Sequence, residues 1–155
     1  MVPMELLHKF GFLSFLNQDQ LRALALVSEE VPLKADEVIV EAGQKANWLF
    51  ILMEGKAAYY CLVADSNLKG YRKEFFISEI NAGEVIGISA LIEPYQYTAT
   101  IRSMQPGRAL KIQASSLRSL CEVDVRLAYS LLKKTTHVAI ERLSDTRRQL
   151  AAIRV

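Results

Sequence analysis

Gly83-Glu84-Val85-Ile86-Gly87-Ile88-Ser89-Ala90-Leu91 is rejoined, after Ile92-Glu93-Pro94-Tyr95-Gln96, by Tyr97-Thr98-Ala99-Thr100. This stretch reads as a strand end, a glycine turn, one short helical turn and a return strand. Gly83 and Gly87 permit backbone conformations that a Cβ disfavours. The N–H groups of Ser89, Ala90 and Leu91 open the short helix, and such a helix start is a ready seat for an anion.

Working outward, the chain between Val31 and Gln113 consists of short β-type runs separated by Gly, Asn, Asp and Pro. The runs are 37–41, 48–53, 57–64, 74–80 and 97–104, with a further run at 108–113 after the Pro106-Gly107 turn. Asp65-Ser66-Asn67 and Lys69-Gly70 mark a hairpin tip. Many short strands without alternating helices predict a closed antiparallel roll.

Both flanks are helical. A short helix at 4–9 is broken at Gly11, and Asn17 is a suitable cap for a second helix over about 18–28. At the other end Ser115 or Ser116 can cap a short helix through Cys121, and Asp124 starts a longer one to about Leu150. Leu127, Leu131, Val138 and Leu143 lie along one side of that helix. An apolar stripe that outlasts its own domain predicts a homodimer. The expected architecture is α+β and mainly β. It is one unit over 1–155: helices at 4–28, an antiparallel β-roll (jelly roll) at 31–113, and C-terminal helices at 115–150.

Composition narrows the function classes. The 155 residues carry a formal net charge of +2, too weak a bias for a dedicated nucleic-acid binder. No apolar run reaches the ~18 residues of a membrane span, and Met1-Val2-Pro3-Met4-Glu5 lacks a secretory layout. The expectation is cytoplasmic, with Cys61 and Cys121 as buried free thiols.

The 83–100 stretch resembles the phosphate-binding cassette of cyclic-nucleotide-binding domains, most closely those of the Crp/Fnr (catabolite activator) type. Three further stretches in family order strengthen the resemblance: Phe15-Leu16-Asn17-Gln18-Asp19-Gln20-Leu21, Glu37-Val38-Ile39-Val40-Glu41-Ala42-Gly43-Gln44 and Trp48-Leu49-Phe50-Ile51-Leu52-Met53-Glu54-Gly55. The resemblance implies a β-roll sensor whose site includes Gly83, Glu84, Ile86, Gly87, Ile88, Ser89, Ala90, Tyr97, Thr98 and Ala99. In the family a glutamate after the second glycine holds the ribose 2′-hydroxyl, and an arginine before the hydroxyl-small pair neutralises the cyclic phosphate. Here Ile88 and Tyr97 stand in those places. A one-residue slip in the loop would put Gln96 in the arginine place, which does not restore the charge. Losing such a charge-assisted contact costs about 1.5–3 kcal/mol, and each ~1.4 kcal/mol is tenfold in affinity. The resemblance also brings the long helix to the ligand, around Arg142, Leu143 and Ser144; Leu143 is unsuited to the hydroxyl role there, Ser144 fills it only with a shift in register, and Arg142 is the alternative that would reach an anion instead.

Plainer readings stand beside these. Gly83 and Gly87 serve equally as turn glycines, Thr98 as a strand hydroxyl, and Tyr59, Tyr60, Tyr71, Tyr95 and Tyr97 as packing residues. Lys133, Lys134, Arg142, Arg147 and Arg148 are interleaved with Glu141 and Asp145, as on a solvated helix face. His8 and His137 have no partners spaced for a metal, and no serine sits in a nucleophile elbow. No enzyme, cofactor or metal is expected. The leading expectation is a regulatory sensor module that does not bind cyclic AMP or cyclic GMP in the usual way. The alternatives are a cyclic-nucleotide receptor with altered contacts and the effector domain of a transcription regulator. The sequence stops at Val155 in or just past the long helix, so no helix-turn-helix and no direct DNA readout are expected within it.

Overall fold

A computed structural model describes residues 1–64 and 72–153. The hairpin tip expected at Asp65-Ser66-Asn67 and Lys69-Gly70, and Tyr71, lie outside the described residues. The chain opens with α1 (Met4–His8), a 3-10 turn (Gly11–Leu13) and α2 (Gln18–Leu26). Eight strands follow: β1 (Ser28–Leu33), β2 (Val38–Val40), β3 (Trp48–Glu54), β4 (Lys56–Ala64), β5 (Arg72–Asn81), β6 (Val85–Ile86), β7 (Thr100–Ser103) and β8 (Gly107–Gln113). A second 3-10 turn (Ile88–Leu91) lies between β6 and β7, and α3 (Ala114–Val123) and α4 (Val125–Ile153) close the chain.

The strands form two antiparallel four-stranded sheets, ordered β1-β8-β3-β6 and β2-β7-β4-β5. This is the mainly-β roll with helical flanks that the sequence predicts. Strand β3 shows how the core divides. Side chains alternate across a strand, so Leu49 and Ile51 enter the core shared with the helices, while Phe50 and Leu52 enter the core between the sheets. Both faces of β3 are therefore covered. The helix-side core also takes Leu7, Leu13, Leu24, Leu117, Leu127 and Leu131.

Local signals at the helix starts match the structure. Asn17 accepts from the Gln20 amide while the Gln20 side chain accepts from the Asn17 amide, a capping box. Asp124 Oδ1 accepts from the amides of Arg126 and Leu127 and so caps α4.

Several boundaries differ from expectation. The second helix ends at Leu26, not near residue 28. Ser28 instead begins β1, so the β region starts at 28 and not 31. Its hydroxyl donates to Leu24 O, and its backbone joins a ladder with β8 that starts at Ser28↔Ile112. That ladder comes from residues some eighty positions away, which no local pattern reports. The run expected over 97–104 is a strand only from Thr100. Neither Ser115 nor Ser116 caps α3, because Gln113 is its N-cap and Ser116 donates to the Gln113 side chain. Cys61 and Cys121 are free, as expected, but half-buried rather than buried.

Candidate functional site

The β6–β7 connection begins at Gly87, whose φ of 86° lies in the left-handed region. A Cβ there would come within 3.1 Å of the Tyr97 ring and 3.2 Å of Trp48 O. Glycine is thus required twice, by its backbone conformation and by the close approach of Tyr97. The 3-10 turn that follows is one turn long. Its Ala90 amide donates to Gly87 O, and Ala90 is wholly buried. The anion seat expected at Ser89, Ala90 and Leu91 therefore loses its middle donor.

The return segment is held by the 42–46 loop. Tyr97 donates its amide to Gln44 O and accepts from the Gly43 amide, and Ala46 donates to Tyr95 O. These bonds fix the direction of the Tyr97 side chain. Its ring is 8% exposed and belongs to the inter-sheet core. Its hydroxyl donates to Trp48 O at 2.6 Å and accepts from the Trp48 amide at 3.3 Å. Burial raises the Tyr97 phenol pKa above its ordinary value, and burial likewise raises Tyr59, with the nearby Arg142 charge opposing. Both phenols are accordingly neutral at physiological pH.

Beside the cassette lies a cavity of about 300 Å³, bounded by β2, β4, the 3-10 turn, the return segment and α4. Among the expected site residues, Gly87, Ile88, Ser89, Tyr97, Thr98, Ala99, Arg142 and Leu143 line it. Five others do not. Ile86 alternates with Val85 on β6, so Val85 lines the cavity while Ile86 enters the inter-sheet core. Ala90 is buried beneath the turn. Gly83 and Glu84 occupy the β5–β6 turn and line a neighbouring groove of about 400 Å³ with Lys133, Lys134 and His137. Ser144 is turned one helical step away from Leu143, into a groove with Ser78, Glu79 and Arg148.

The α4 stripe also divides. Leu127 and Leu131 are core and Val138 packs against it, so Leu143 alone of the four faces outward. Glu84, though outside the cavity, pairs with Arg142 at its wall: Arg142 Nη2 lies 3.3 Å from Glu84 Oε2. The Arg142 guanidinium also sits 5.6 Å from the Tyr59 ring centroid.

Sequence reasoning missed Arg118. From α3 its Nε donates to Ala90 O at 2.7 Å and its Nη2 to Ala46 O at 2.8 Å, and its guanidinium stacks 3.8 Å from the Tyr95 ring centroid. It therefore ties the cassette turn and the 42–46 loop to α3. Its contacts lie 28 and 72 residues away, beyond any local motif. Among the described residues no cluster of His, Cys, Asp and Glu could hold a metal ion, and no helix is long and apolar enough to cross a membrane.

The chain is a two-sheet roll with a glycine-bounded turn, and a cavity beside that turn is lined in part by α4. The sequence profile of the cyclic nucleotide-binding domain matches residues 30–124, more than half of the chain. The chain belongs to the cyclic nucleotide-binding domain family. Its fold is similar to that of a Geobacter metallireducens GS-15 protein whose name places it among cyclic nucleotide-binding proteins. That match has 29% identity and a TM-score of 0.77, over 92% of this chain and 99% of that one. The fold is also that of the sensor domain of the transcriptional regulator DNR from Pseudomonas aeruginosa, with 19% identity and a TM-score of 0.70, over 87% of this chain and 91% of that one. A cGMP-dependent protein kinase of Plasmodium berghei (strain Anka) is 28% identical over 106 residues, 68% of this chain but 11% of the kinase. The likeness to cyclic nucleotide-binding domains read from the sequence is borne out by the family match, and the fold is shared with the sensor domain of a Crp/Fnr-type regulator.

Proposed function

We propose that this chain is a regulatory sensor module of the family that does not hold cyclic AMP or cyclic GMP through the family's usual contacts. One observation carries the reading. The residue in the arginine place, Tyr97, is buried with its hydroxyl committed to Trp48 O. Ile88 in the glutamate place adds an apolar wall where a ribose hydroxyl needs an acceptor. Isothermal titration of the protein with cyclic AMP and cyclic GMP tests it. No heat of binding is expected at micromolar ligand; micromolar binding at one site per chain would overturn it. That result would instead support the second reading, a cyclic-nucleotide receptor with altered contacts, which Arg142 in the cavity wall favours.

The module acts as a homodimer in the cytoplasm. Val125, Tyr129, Leu132, Leu143, Leu150 and Ile153 are exposed along α4. Thr136, Ala139 and Thr146, also exposed, fill the positions between. The spacing alternates four and three residues, the seam of a two-stranded coiled coil. This seam supports pairing of α4 with its copy.

A further inference from the structure

Arg142 is short of partners. Its side chain is 13% exposed, yet among the described residues its guanidinium makes one hydrogen bond, to Glu84 at 3.3 Å. Charge-assisted bonds of this kind normally run ~2.7–2.9 Å. Asp145 lies 4.0 Å away, and its other oxygen is held at 2.6 Å by Arg148. A guanidinium has about five N–H donors, and buried charges are ordinarily paired and hydrogen-bonded. Arg142 lines this cavity and also the two neighbouring grooves, so its remaining donors border all three spaces, of which the cavity beside the cassette is the most enclosed.

The rest of that cavity is of a different character. Val85, Ile88, Val138 and Leu143 make apolar walls. Ser89 also lines it, and its hydroxyl donates no hydrogen bond among the described residues. We propose that the cavity binds a small carboxylate with an apolar body, its anion seated on Arg142 of α4 and not on the cassette. The proposal rests on the reading that Ile88 and Tyr97 end the usual nucleotide grip. A carboxylate matches the planar guanidinium fork in two parallel bonds. A single negative charge suits one arginine with Glu84 and Asp145 already beside it, whereas a polyanion would meet two carboxylates. The volume, about 300 Å³, lies at the small end of ligand pockets. The guest's carboxylate takes donors that the single Glu84 contact leaves unused and competes with Glu84 for the same charge, so binding acts directly on the helix that carries the apolar seam.

Titration calorimetry with hexanoate and phenylacetate, against hexanamide and phenylacetamide, tests this on the full chain. Each acid is expected to bind at least tenfold more tightly than its amide. Arg142→Gln removes that preference, and Glu84→Gln tightens binding of the acids by removing the competing carboxylate. Equal binding of acid and amide, no binding of any of the four, or a preference that survives Arg142→Gln would each overturn the proposal. If Arg142→Gln fails to fold, as judged by circular dichroism, the wild-type comparison and Glu84→Gln decide the matter. Unchanged or weaker acid binding by Glu84→Gln then counts against it. Micromolar binding of cyclic AMP would overturn the proposed function instead, so the two failures are distinct.

Discussion

Replacing Tyr97 with phenylalanine removes one oxygen and leaves the ring in place. The wild-type hydroxyl donates to Trp48 O at 2.6 Å from a side chain that is 8% exposed. Phenylalanine fills nearly the same volume, so packing over Gly87 is retained and the change isolates the hydrogen bond. A buried carbonyl deprived of its donor costs about 1–3 kcal/mol. At ~2.1 cal/mol/K of unfolding entropy per residue, a chain of 155 residues loses about 3 °C of Tm per kcal/mol. The expected outcome is a Tm lowered by about 3–9 °C, with a matching fall in the urea midpoint at unchanged slope. A change under ~0.3 kcal/mol, about 1 °C, would mean that the hydroxyl is not bound to Trp48. The phenol would then be free to serve the cavity, and the account of a wall closed by Tyr97 would fail.

Other outcomes follow from neighbouring contacts. Gly107 sits where β8 passes Gly55, and a Cβ on it would stand 2.1 Å from Glu54 O. Gly107→Ala is expected to cost at least about 3 kcal/mol, read as insoluble protein or a Tm lower by about 10 °C; a near-wild-type melt would contradict that close approach. Burial raises the native pKa of Tyr59 and Tyr97 above the ordinary phenol value. Below pH ~10 the phenols are protonated in both states. Above it the unfolded chain releases its protons first, so stability falls as pH rises through the raised native values. Urea midpoints between pH 8 and 11 should drop less steeply in a Tyr59→Phe, Tyr97→Phe double variant than in the wild type; equal slopes would count against the shifts. Leu132 is 52% exposed on the α4 seam. Sedimentation equilibrium should give a two-chain mass for the wild type and a one-chain mass for Leu132→Glu with its fold intact; a wild-type monomer would remove the dimer.

Much of this protein was legible along the chain because the signals involved act over a few residues. Asn17 with Gln20 marks one helix start, and Asp124 marks another. The run at Trp48–Glu54 announces a strand, and Gly83 and Gly87 announce turns that the structure makes at positive φ. The resemblance that sets Ile88 and Tyr97 against the family's glutamate and arginine was read from the sequence alone. What required the tertiary structure is what depends on meetings between distant segments. Ser28–Leu33 becomes a strand only because β8 is there to pair with it. Tyr97 turns to Trp48 because backbone bonds to the 42–46 loop hold it so. Glu84, expected in the ligand set, is the partner of Arg142, 58 residues away. Arg118 binds two loops that no motif connects to it. Local propensity and patterning are written in neighbouring residues. Which side chain lines a cavity and which charge pairs with which depend on how the sheets and helices pack together.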